Sequence, residues 1–494
     1  MQFNTLERIL QNFKKEEDKV AFHINNKDYL YKDLSKLVAS YQNSLKKIDH
    51  NYIGVLVSNT IECYAIQLAI WMSGKTFIPL NPKNPIFRNR KIIDEAHIKL
   101  VFHINHPGID DYYNSSTTIK NLFEIETVEG SIPSVIQIHE EAIAYILFTS
   151  GSTGIPKGVT ISWKNVNSFV DSILSYDFQY LDEERFLQMF DFSFDVSVAS
   201  TLIPLILGYA VYTVSDSGVK FTEVYSILEE KEITFASIVP STLSFLKPYF
   251  DEIKLPHLRN CILTAEASDN LMVKQWKDCV PNARIFNFYG PTEVTVWSTA
   301  YEWIDWESMK DYNGMPPIGK PLKNVQAVIL NKENSMLGAN EKGELCLSGQ
   351  QVTPGYANDS EKNSTSFISI DGVRYYKTGD ICYFDGDGEI MYCGRVDHQV
   401  QLRGYRVELN EIEFPIKKNY KVGNVIAIPY KTKDGTTSVV LFIEDYKGDS
   451  TEPMEFLKTV LPSYMLPEKI ILLDKFPTNT SDKVDRKTLA SLIF

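Results

Sequence analysis

Apolar and polar positions alternate in two ways up to about residue 300 of this chain. Residues 54–57 and 76–80 form short apolar runs, whereas apolar side chains recur at helical spacing over residues 60–72. Asn59 and Glu62 have the spacing of a capping box at the start of that helix. Because strand, helix and strand follow one another repeatedly, the pattern predicts parallel sheets with helices on both faces.

The pattern changes between about residues 315 and 395, where short strands are separated by Gly, Asp and Asn turns, as in a small β-barrel. A hinge is predicted at 394–397, and the residues that follow suffice for a small α+β unit. We therefore predict an α/β protein whose large N-terminal domain, residues 1–396, contains two parallel-sheet α/β subdomains and the small β-barrel. Residues 397–494 are predicted to form a C-terminal α+β domain.

Composition and charge restrict the functional classes. The chain has 494 residues, of which 44% are hydrophobic and 23% charged, a balance typical of globular enzymes. A net charge of −13 argues against nucleic acid as a partner, since phosphate backbones bind basic surfaces. No apolar run approaches the ~18 residues that span a membrane, and the first residues do not resemble a secretory signal. Six scattered cysteines without a C-x-x-C pair indicate free thiols and a cytoplasmic enzyme.

A segment rich in glycine and hydroxyl side chains, residues 149–158, follows an apolar strand at 142–148. A helix follows it, and Ser162 is the expected N-cap of that helix. Glycines let backbone N–H groups approach an anion, hydroxyls add donors, and Lys157 adds a positive charge. The segment therefore indicates a phosphate-binding loop. It is not a Walker A loop, because Lys157 is followed by Gly158 instead of Ser or Thr.

The sequence of this segment, TSGSTGIPKG, resembles the phosphate loop of the adenylate-forming superfamily. That family includes acyl-CoA ligases, luciferases and the amino-acid adenylation domains of peptide synthetases. Six further segments follow in the family's order, so the resemblance covers roughly residues 30–490. Members activate a carboxylate with ATP and Mg²⁺, release pyrophosphate and pass the acyl group to a thiol. The resemblance implies that the ATP phosphates are bound by Thr149, Ser150, Gly151, Ser152, Thr153, Gly154 and Lys157, of which Thr149 and Lys157 are also catalytic.

Two further motifs imply the rest of a nucleotide site. The segment NFYGPTE resembles the adenine-binding segment of the family, in which Tyr289 stacks on the purine, Asn287 bonds its amine and Glu293 helps to hold Mg²⁺. The segment YKTGD resembles the ribose-binding segment and assigns the ribose hydroxyls to Asp380. Arg395 matches an arginine that contacts the nucleotide. The nucleotide contacts implied at the first motif are Asn287, Phe288, Tyr289, Gly290, Thr292 and Glu293.

The C-terminal domain resembles the family's mobile lid, which rotates between adenylate formation and thiol transfer. Asp397 falls at the hinge position and Lys483 at that of the catalytic lysine, which also contacts the nucleotide and whose ammonium stabilises charge that develops at the α-phosphate. Family sequences usually have Asn-Gly before this lysine, whereas this chain has Ser481 and Asp482. The added carboxylate is expected to weaken the field of Lys483. Residues 403–408, RGYRVE, resemble the lid surface that faces the acceptor during transfer.

The segment FDVS, residues 194–197, indicates which acid is activated. In amino-acid adenylation domains the aspartate at this position pairs with the substrate's α-ammonium, and a buried Asp195 needs such a cation. Backbone N–H groups at a helix start are the alternative partners. The resemblance places the substrate pocket at Asp195, Val196, Ala199, Ser237, Ile262, Thr264, Phe288, Val296 and Trp297. Because Asp195 is the only charged member, we expect a small or medium amino acid with a neutral side chain.

No carrier domain follows Lys487, so the expected acceptor is the phosphopantetheine thiol of a separate carrier protein. The overall pattern is similar to the free-standing D-alanine–carrier-protein ligases, although Thr264 stands where a cysteine is expected. The expected function is activation of an amino acid as aminoacyl-AMP, followed by transfer to this thiol. Two alternatives stay open: an acyl-CoA ligase for an uncharged carboxylic acid, and a nucleotide-binding family member with reduced turnover.

Overall fold

The computed structural model of the chain describes residues 4–109, 117–127, 130–149, 156–215, 218–396, 399–477 and 484–493. The α-helices in these ranges are α1 (Thr5–Lys15), α2 (Tyr31–Leu45), α3 (Ile61–Met72), α4 (Ile86–Glu95), α5 (Trp163–Leu174), α6 (Asp195–Leu207), α7 (Lys220–Glu230), α8 (Pro240–Leu246), α9 (Asn270–Cys279), α10 (Ser360–Ser366), α11 (Leu409–Asn419), α12 (Thr451–Val460) and α13 (Arg486–Ser491). The strands are β1 (Val20–Ile24), β2 (Lys27–Leu30), β3 (Tyr52–Leu56), β4 (Thr76–Leu80), β5 (Leu100–His103), β6 (Thr118–Asn121), β7 (Ile143–Thr149), β8 (Lys157–Ser162), β9 (Arg185–Gln188), β10 (Ala210–Thr213), β11 (Phe235–Ile238), β12 (Asn260–Thr264), β13 (Arg284–Tyr289), β14 (Thr299–Glu302), β15 (Lys320–Pro321), β16 (Val325–Leu330), β17 (Gly343–Gly349), β18 (Gly355–Tyr356), β19 (Phe367–Ile370), β20 (Val373–Phe384), β21 (Ile390–Arg395), β22 (Gln399–Leu402), β23 (Tyr405–Glu408), β24 (Val425–Lys431), β25 (Thr437–Glu444) and β26 (Lys469–Leu473).

Two mixed sheets with parallel centres form most of the N-terminal part. The first has the order β18-β8-β7-β4-β3-β5-β6, and its pairs from β7 to β6 are parallel. The second has the order β15-β14-β13-β12-β11-β9-β10-β1-β2, with parallel pairing from β13 to β1. Antiparallel strands are added at the edges of both sheets. The prediction of two parallel-sheet subdomains is confirmed, with these antiparallel additions.

The capping box predicted before α3 is wrong. Thr60 is the N-cap, and the side-chain amide of Asn59 instead donates to the carbonyl oxygen of Val214 at 2.9 Å. Val214 follows β10 of the other sheet, so this amide connects the two sheets. The neighbouring predictions are confirmed, because residues 76–80 form β4 and the side chain of Ser162 caps α5.

Strand β8 begins at Lys157, at the end of the glycine-rich segment, and leads to α5, where the sequence pattern indicated only a loop and a helix. It is antiparallel to β7, and Lys157 pairs with Thr149 in the register. The segment predicted to bind phosphate therefore connects two antiparallel strands. Alternation of Val159 and Ile161 with less apolar positions is the signal for this strand.

Helix α3 is the centre of the N-terminal core. Every residue of α3 except Glu62 is buried. The indole N–H of Trp71 donates to the carbonyl oxygen of Ala144 at 2.8 Å, which ties the helix to β7. Loss of a buried tryptophan side chain costs about 3–5 kcal/mol, so Trp71 contributes substantially to holding the strand that ends at Thr149.

A smaller antiparallel sheet follows the two large ones. Its order is β16-β17-β20-β19, and β21 pairs with the second half of β20. Because β17 pairs along one edge of β20, and β19 and β21 share the other, this long strand has partners on both edges. This five-stranded sheet lies where the sequence predicts a small β-barrel after residue 315.

The C-terminal part has its own core. Strands β24, β25 and β26 form one sheet, which with the β22–β23 hairpin and helices α11 to α13 makes the expected α+β unit. Val407, Ile412 and Leu441 belong to a buried cluster that is separate from the main core of residues 6–356. Separate cores support a boundary between 396 and 397, which stays a prediction. No helix in the described ranges has both the length and the apolar character needed to cross a membrane.

Candidate active site

A cavity of about 1140 Å³ lies between the nine-stranded sheet and the C-terminal unit. Thr264 ends β12 and Tyr289 ends β13, so the cavity is at the carboxyl ends of parallel strands, where open α/β sheets bind ligands. Gly404 and Arg406 of the C-terminal unit form part of the other wall. The predicted site residues that line the cavity are Asp195, Val196, Thr264, Asn287, Phe288, Tyr289, Gly290, Thr292, Val296, Asp380 and Arg395.

The remaining predicted residues fall into two groups. Some are described but do not line the cavity: Thr149, Lys157, Ala199, Ser237, Ile262, Glu293 and Trp297. The others lie outside the described residues: Ser150, Gly151, Ser152, Thr153, Gly154, Asp397 and Lys483, together with Ser481 and Asp482. The structure therefore brings five of the nine residues predicted for the amino-acid pocket to the same cavity as Tyr289 and Asp380, namely Asp195, Val196, Thr264, Phe288 and Val296.

Asp195 is a buried carboxylate, and no lysine, arginine or histidine of the described ranges forms an ion pair with it. Asp195 is the first residue of α6 and lies near the Thr292 hydroxyl and the backbone N–H of Val196. Burial raises the pKa of Asp195 to about 7, although these two donor groups favour the charged form and act in the opposite direction. The helix start thus compensates only partly for the loss of water. A cation in the cavity would supply the missing stabilisation.

Asp380, which is buried on β20, forms an ion pair with the partly buried Arg395 of β21. The guanidinium Nη1 lies 2.6 Å from the Oδ1 atom of Asp380, and the Tyr289 hydroxyl donates to Oδ2. Burial raises the pKa of Asp380, whereas the Arg395 charge and the Tyr289 hydrogen bond lower it. A carboxylate held in this way can accept hydrogen bonds from two neighbouring hydroxyls, as ribose offers.

Glu293 is held between strand β18 of the seven-stranded sheet and the C-terminal unit. The Tyr356 hydroxyl donates to its Oε1 atom at 2.6 Å, and Nη1 of Arg406 lies 3.3 Å from Oε2. Burial opposes ionisation, but the Arg406 charge and the Tyr356 hydrogen bond outweigh it, so the pKa of Glu293 is lowered. Within the described ranges, no cluster of three or more His, Cys, Asp or Glu residues could hold a metal ion. One anionic carboxylate together with phosphate oxygens is, however, a usual Mg²⁺ environment.

The turn after β13 requires glycine at position 290. A Cβ atom there would lie 2.3 Å from the carbonyl oxygen of Val296 and 2.7 Å from the Cα atom of Trp297. Only glycine permits this close approach of two backbone segments. The approach brings Thr292 to Asp195 and Val296 to the cavity wall. The backbone packing of this turn therefore requires glycine at position 290, independently of any contact with a ligand.

Thr264 and Trp297 close one side of the cavity. The indole Nε1 of Trp297 donates to the Thr264 hydroxyl at 2.9 Å, and both side chains are buried. The Phe288 ring meets the indole edge-on, with centroids 5.1 Å apart. Thr264 and Phe288 line the cavity, whereas Trp297, Ala199 and Ser237 do not. The part of the cavity next to Asp195 is therefore smaller than a pocket lined by all the predicted residues would be.

Thr149 and Lys157 lie opposite each other where the glycine-rich segment leaves the sheet. The Thr149 hydroxyl donates to the carbonyl oxygen of Lys157 at 3.4 Å, and the ammonium of Lys157 lies 3.7 Å from Oδ2 of Asp359. A partly exposed ion pair at this distance contributes at most about 1 kcal/mol. The ammonium can therefore exchange this partner for a phosphate at little cost.

The AMP-binding enzyme family matches residues 9–357. The chain belongs to this family. Among curated relatives of this AMP-binding enzyme, the D-alanine–D-alanyl carrier protein ligase of Bacillus licheniformis is 30% identical over 436 residues, which cover 85% of each chain. Tyrocidine synthase 1 of Brevibacillus parabrevis and gramicidin S synthase 1 of Brevibacillus brevis are each 28% identical, over 489 and 448 residues. These two matches cover 96% and 88% of this chain, which spans only 43% of the first synthase and 39% of the second.

Two solved structures share the fold of this AMP-binding enzyme. The adenylation domain AlmE of Vibrio cholerae, in complex with glycyl-adenosine-5'-phosphate, has a TM-score of 0.89 at 22% identity and covers 100% of this chain and 98% of its own. Holo-PA1221, an NRPS protein containing adenylation and PCP domains, has a TM-score of 0.88 at 20% identity and covers 99% and 84%. At these identities the likeness establishes the fold alone.

Two residues of this AMP-binding enzyme's site were not found from the sequence, namely Glu266 and Tyr356. Glu266 lines the cavity and accepts hydrogen bonds from the backbone N–H of Ser241, at 2.7 Å, and from that of Gly404 in the C-terminal unit. Gly404 has a φ of +85°, and a Cβ there would meet Val239 at 3.2 Å. No local pattern marks Glu266 or Tyr356, because their partners are far away along the chain.

Proposed function

We propose that this AMP-binding enzyme activates a small neutral amino acid with ATP as aminoacyl-AMP and then transfers the aminoacyl group to the phosphopantetheine thiol of a separate carrier protein. The observation that carries the proposal is Asp195, a buried carboxylate in a cavity that also contains Tyr289 and Asp380. An amino acid brings the ammonium that such a carboxylate needs. A fatty or aryl acid does not.

The size of the substrate follows from the wall beside Asp195. Thr264 and Phe288 limit the cavity there, and the hydrogen bond to Trp297 holds Thr264 in place. A side chain of one or no carbon atoms fits this wall better than a larger one. Two relatives support this size: the Bacillus licheniformis ligase is named for D-alanine, and AlmE was solved with a glycyl adenylate.

Adenylation is a displacement at the α-phosphorus of ATP. One carboxylate oxygen of the amino acid bonds to this phosphorus, and the bond to the bridging oxygen of the β-phosphate breaks, releasing pyrophosphate. We assign the nucleoside to Tyr289 and Asp380, and the substrate ammonium to Asp195. Lys157 would neutralise phosphate charge, and Lys483 would stabilise the charge that develops in the transition state.

Glu293 is the residue proposed to hold Mg²⁺ together with the ATP phosphates. The ion, when bound, neutralises phosphate charge. Tyr356 and Arg406 contact the two carboxylate oxygens of Glu293 in the present arrangement. Arg406 of the C-terminal unit and a Mg²⁺ ion are therefore alternative partners of the same carboxylate oxygen. This alternation fits a lid that changes position between two half-reactions.

During transfer, the thiol sulfur bonds to the carbonyl carbon of the aminoacyl group, and the bond from that carbon to the phosphate oxygen of AMP breaks. Contacts from Gly404 to Glu266 and from Arg406 to Glu293 hold residues 399–408 against the cavity. These contacts support assignment of the present arrangement to the transfer orientation. Asp397 would then be the hinge about which the C-terminal unit turns.

The test is amino-acid-dependent exchange of labelled pyrophosphate into ATP, over the common L- and D-amino acids. We expect glycine or alanine to support the fastest exchange and amino acids with charged or bulky side chains to support little. Asp195→Asn should abolish exchange with the best amino acid, whereas Asp182→Asn, at an exposed position, should not change it.

Exchange with simple carboxylic acids but with no amino acid would contradict the assignment of Asp195. Formation of a CoA thioester without any carrier would then favour an acyl-CoA ligase. Tight binding of ATP and amino acid in calorimetry, without exchange, would instead indicate a nucleotide-binding protein with reduced turnover.

A further inference from the structure

Arg406 is a cation that the C-terminal unit places at the cavity. Its side chain lines the cavity and is 23% exposed. Its Nε atom donates to the side-chain oxygen of Gln399, on the other strand of the hairpin, at 2.6 Å. The next residue, Val407, is completely buried in the core of the C-terminal unit. This anchored hairpin therefore presents the guanidinium in a defined direction, toward the N-terminal part.

Two carboxylates of the N-terminal part interact with the charge of Arg406. Nη1 of Arg406 lies 3.3 Å from Oε2 of Glu293, whose side chain is only 5% exposed. Burial raises the pKa of Asp380, and the charges of Arg395 and then of Arg406 oppose this rise. The Arg406 guanidinium is therefore in contact with Glu293 and within electrostatic range of Asp380.

These two carboxylates have different partners in the proposed function. Asp380 is assigned to the ribose, and Glu293 to the metal ion that the phosphates share. The α-phosphate follows the ribose in the nucleotide, so we expect it between the groups held by Asp380 and Glu293. A guanidinium that interacts with both carboxylates is suited to meet this phosphate, because its N–H groups can donate two parallel hydrogen bonds to phosphate oxygens.

Transfer of the aminoacyl group increases the negative charge at this position. The thiol first gives its proton to the solvent, and the thiolate sulfur then bonds to the carbonyl carbon of the aminoacyl group. The bond from that carbon to the phosphate oxygen breaks, and its electron pair stays on the oxygen. The phosphate of AMP therefore gains one negative charge. Release of pyrophosphate has by then removed the oxygens that would share Mg²⁺ with Glu293, so another cation is needed.

We propose that Arg406 is a catalytic residue of the transfer half-reaction, in which its guanidinium binds the α-phosphate of aminoacyl-AMP and stabilises the departing AMP. This proposal rests on the proposed function, which supplies the substrate. The C-terminal unit would then provide one cation for each half-reaction, Lys483 for adenylation and Arg406 for transfer. Its change of orientation would exchange these two cations at the same phosphate.

Two measurements test this role. In the first, a chemically supplied adenylate of the amino acid that supports the fastest exchange is mixed with free pantetheine, and its transfer is followed in a single turnover. In the second, calorimetry without Mg²⁺ compares the binding of AMP with that of adenosine, which lacks the phosphate. The variants are Arg406→Gln, which removes the charge, and Arg406→Lys, which keeps it. The matched control is Arg259→Gln, the same change at an exposed position before β12.

We expect Arg406→Gln to lower the rate constant of transfer at least ~100-fold, on the scale of a lost oxyanion donor, and to slow transfer more than pyrophosphate exchange. Arg406→Lys should retain more of the transfer rate, since it keeps the charge but loses the two-pronged geometry. Loss of a charge-assisted hydrogen bond should raise the dissociation constant of AMP in Arg406→Gln about ten- to hundredfold. The dissociation constant of adenosine, and all properties of the control variant, should stay as in the wild type.

A rate constant of transfer in Arg406→Gln equal to that of the wild type would overturn the catalytic role. So would slow transfer accompanied by an equal effect, or by no effect, on AMP and adenosine binding, because Arg406 would then only hold the hairpin in place. A wild-type enzyme that shows no exchange with any amino acid would instead contradict the proposed function. The comparison of AMP with adenosine would still test the phosphate contact of Arg406 in that case.

Discussion

Replacement of Asp195 by asparagine distinguishes two effects of this carboxylate. Its buried charge lowers the folding stability of the free protein, and the same charge binds the ammonium of the amino acid. Asparagine has the same shape and keeps a side-chain oxygen near the Thr292 hydroxyl, but it is never ionised. We expect Asp195→Asn to stabilise the N-terminal unit at pH 8 and to abolish amino-acid activation. A substitution that stabilises the protein and removes its activity is expected where a functional charge has no neutralising partner within the protein.

The size and sign of the effect follow from the pKa. A rise in the pKa of Asp195 from 3.8 to about 7 corresponds to about 4 kcal/mol, because one pKa unit is worth about 1.4 kcal/mol. The unfolded chain ionises near pH 4 and the folded protein near pH 7, so the cost of the charge appears as the pH rises through this window. Asp195→Asn should therefore add about 4 kcal/mol at pH 8 and less than half of that at pH 5.

Tryptophan fluorescence suits the measurement. All six tryptophans precede residue 397, so urea unfolding followed by their emission reports the N-terminal unit. The control is Asp182→Asn, which removes an exposed carboxylate and should change stability little at either pH. In the wild type, the dissociation constant of the amino acid should rise about tenfold between pH 8 and pH 6, as Asp195 becomes protonated.

Two results would refute this reasoning. One is a free energy of unfolding that is unchanged, or lowered equally at pH 5 and pH 8, by Asp195→Asn. The other is a wild-type affinity for the amino acid that does not depend on pH between 6 and 8. Either would mean that Asp195 is already neutralised in the free protein.

Three further substitutions test other parts of the site. Trp297→Ala removes the partner of Thr264 and should shift exchange from glycine or alanine toward larger amino acids; an unchanged preference would contradict the size limit. Arg88→Met leaves Glu411 buried without its cation, at a cost of about 3–5 kcal/mol, and should slow carrier loading more than exchange; equal slowing would contradict a link between this pair and the transfer orientation. Lys483→Ala should slow adenylation at least ~100-fold but leave transfer from a supplied aminoacyl-adenylate nearly unchanged, and equal loss in both steps would contradict the rotating lid.

Local chemistry is what made much of this protein predictable. The strand at 76–80 and the helix capped by Ser162 depend on side chains within a few residues of one another, and both are confirmed. The predictions that Asp195, Tyr289 and Asp380 belong to one site rest on motifs whose side-chain types suit particular ligand groups. The structure places all three at one cavity.

Predictions failed where a side chain has a distant partner. Asn59 has the spacing of a helix cap, but its side-chain amide donates to the carbonyl oxygen of Val214, which follows a strand of the other sheet. A buried carbonyl oxygen needs a hydrogen-bond donor, just as the N–H groups at a helix start need acceptors. Trp297 does not line the cavity, because its hydrogen bond to Thr264 holds it behind the wall, and its part in the substrate pocket stays a prediction. Such competition between partners cannot be resolved from a linear pattern.

The amino-acid sequence by itself determined the α/β class, the order of the motifs and the chemistry of the residues at the ends of the strands. The tertiary structure alone decided the shape of the cavity, the contact of Glu266 with Gly404, and the Arg88–Glu411 pair between α4 and α11. The physical reason is the distance along the chain between the residues that interact. Strands, helices and caps form from contacts between close neighbours, whereas the raised pKa of Asp195 and the assembly of the two units depend on burial by residues hundreds of positions apart.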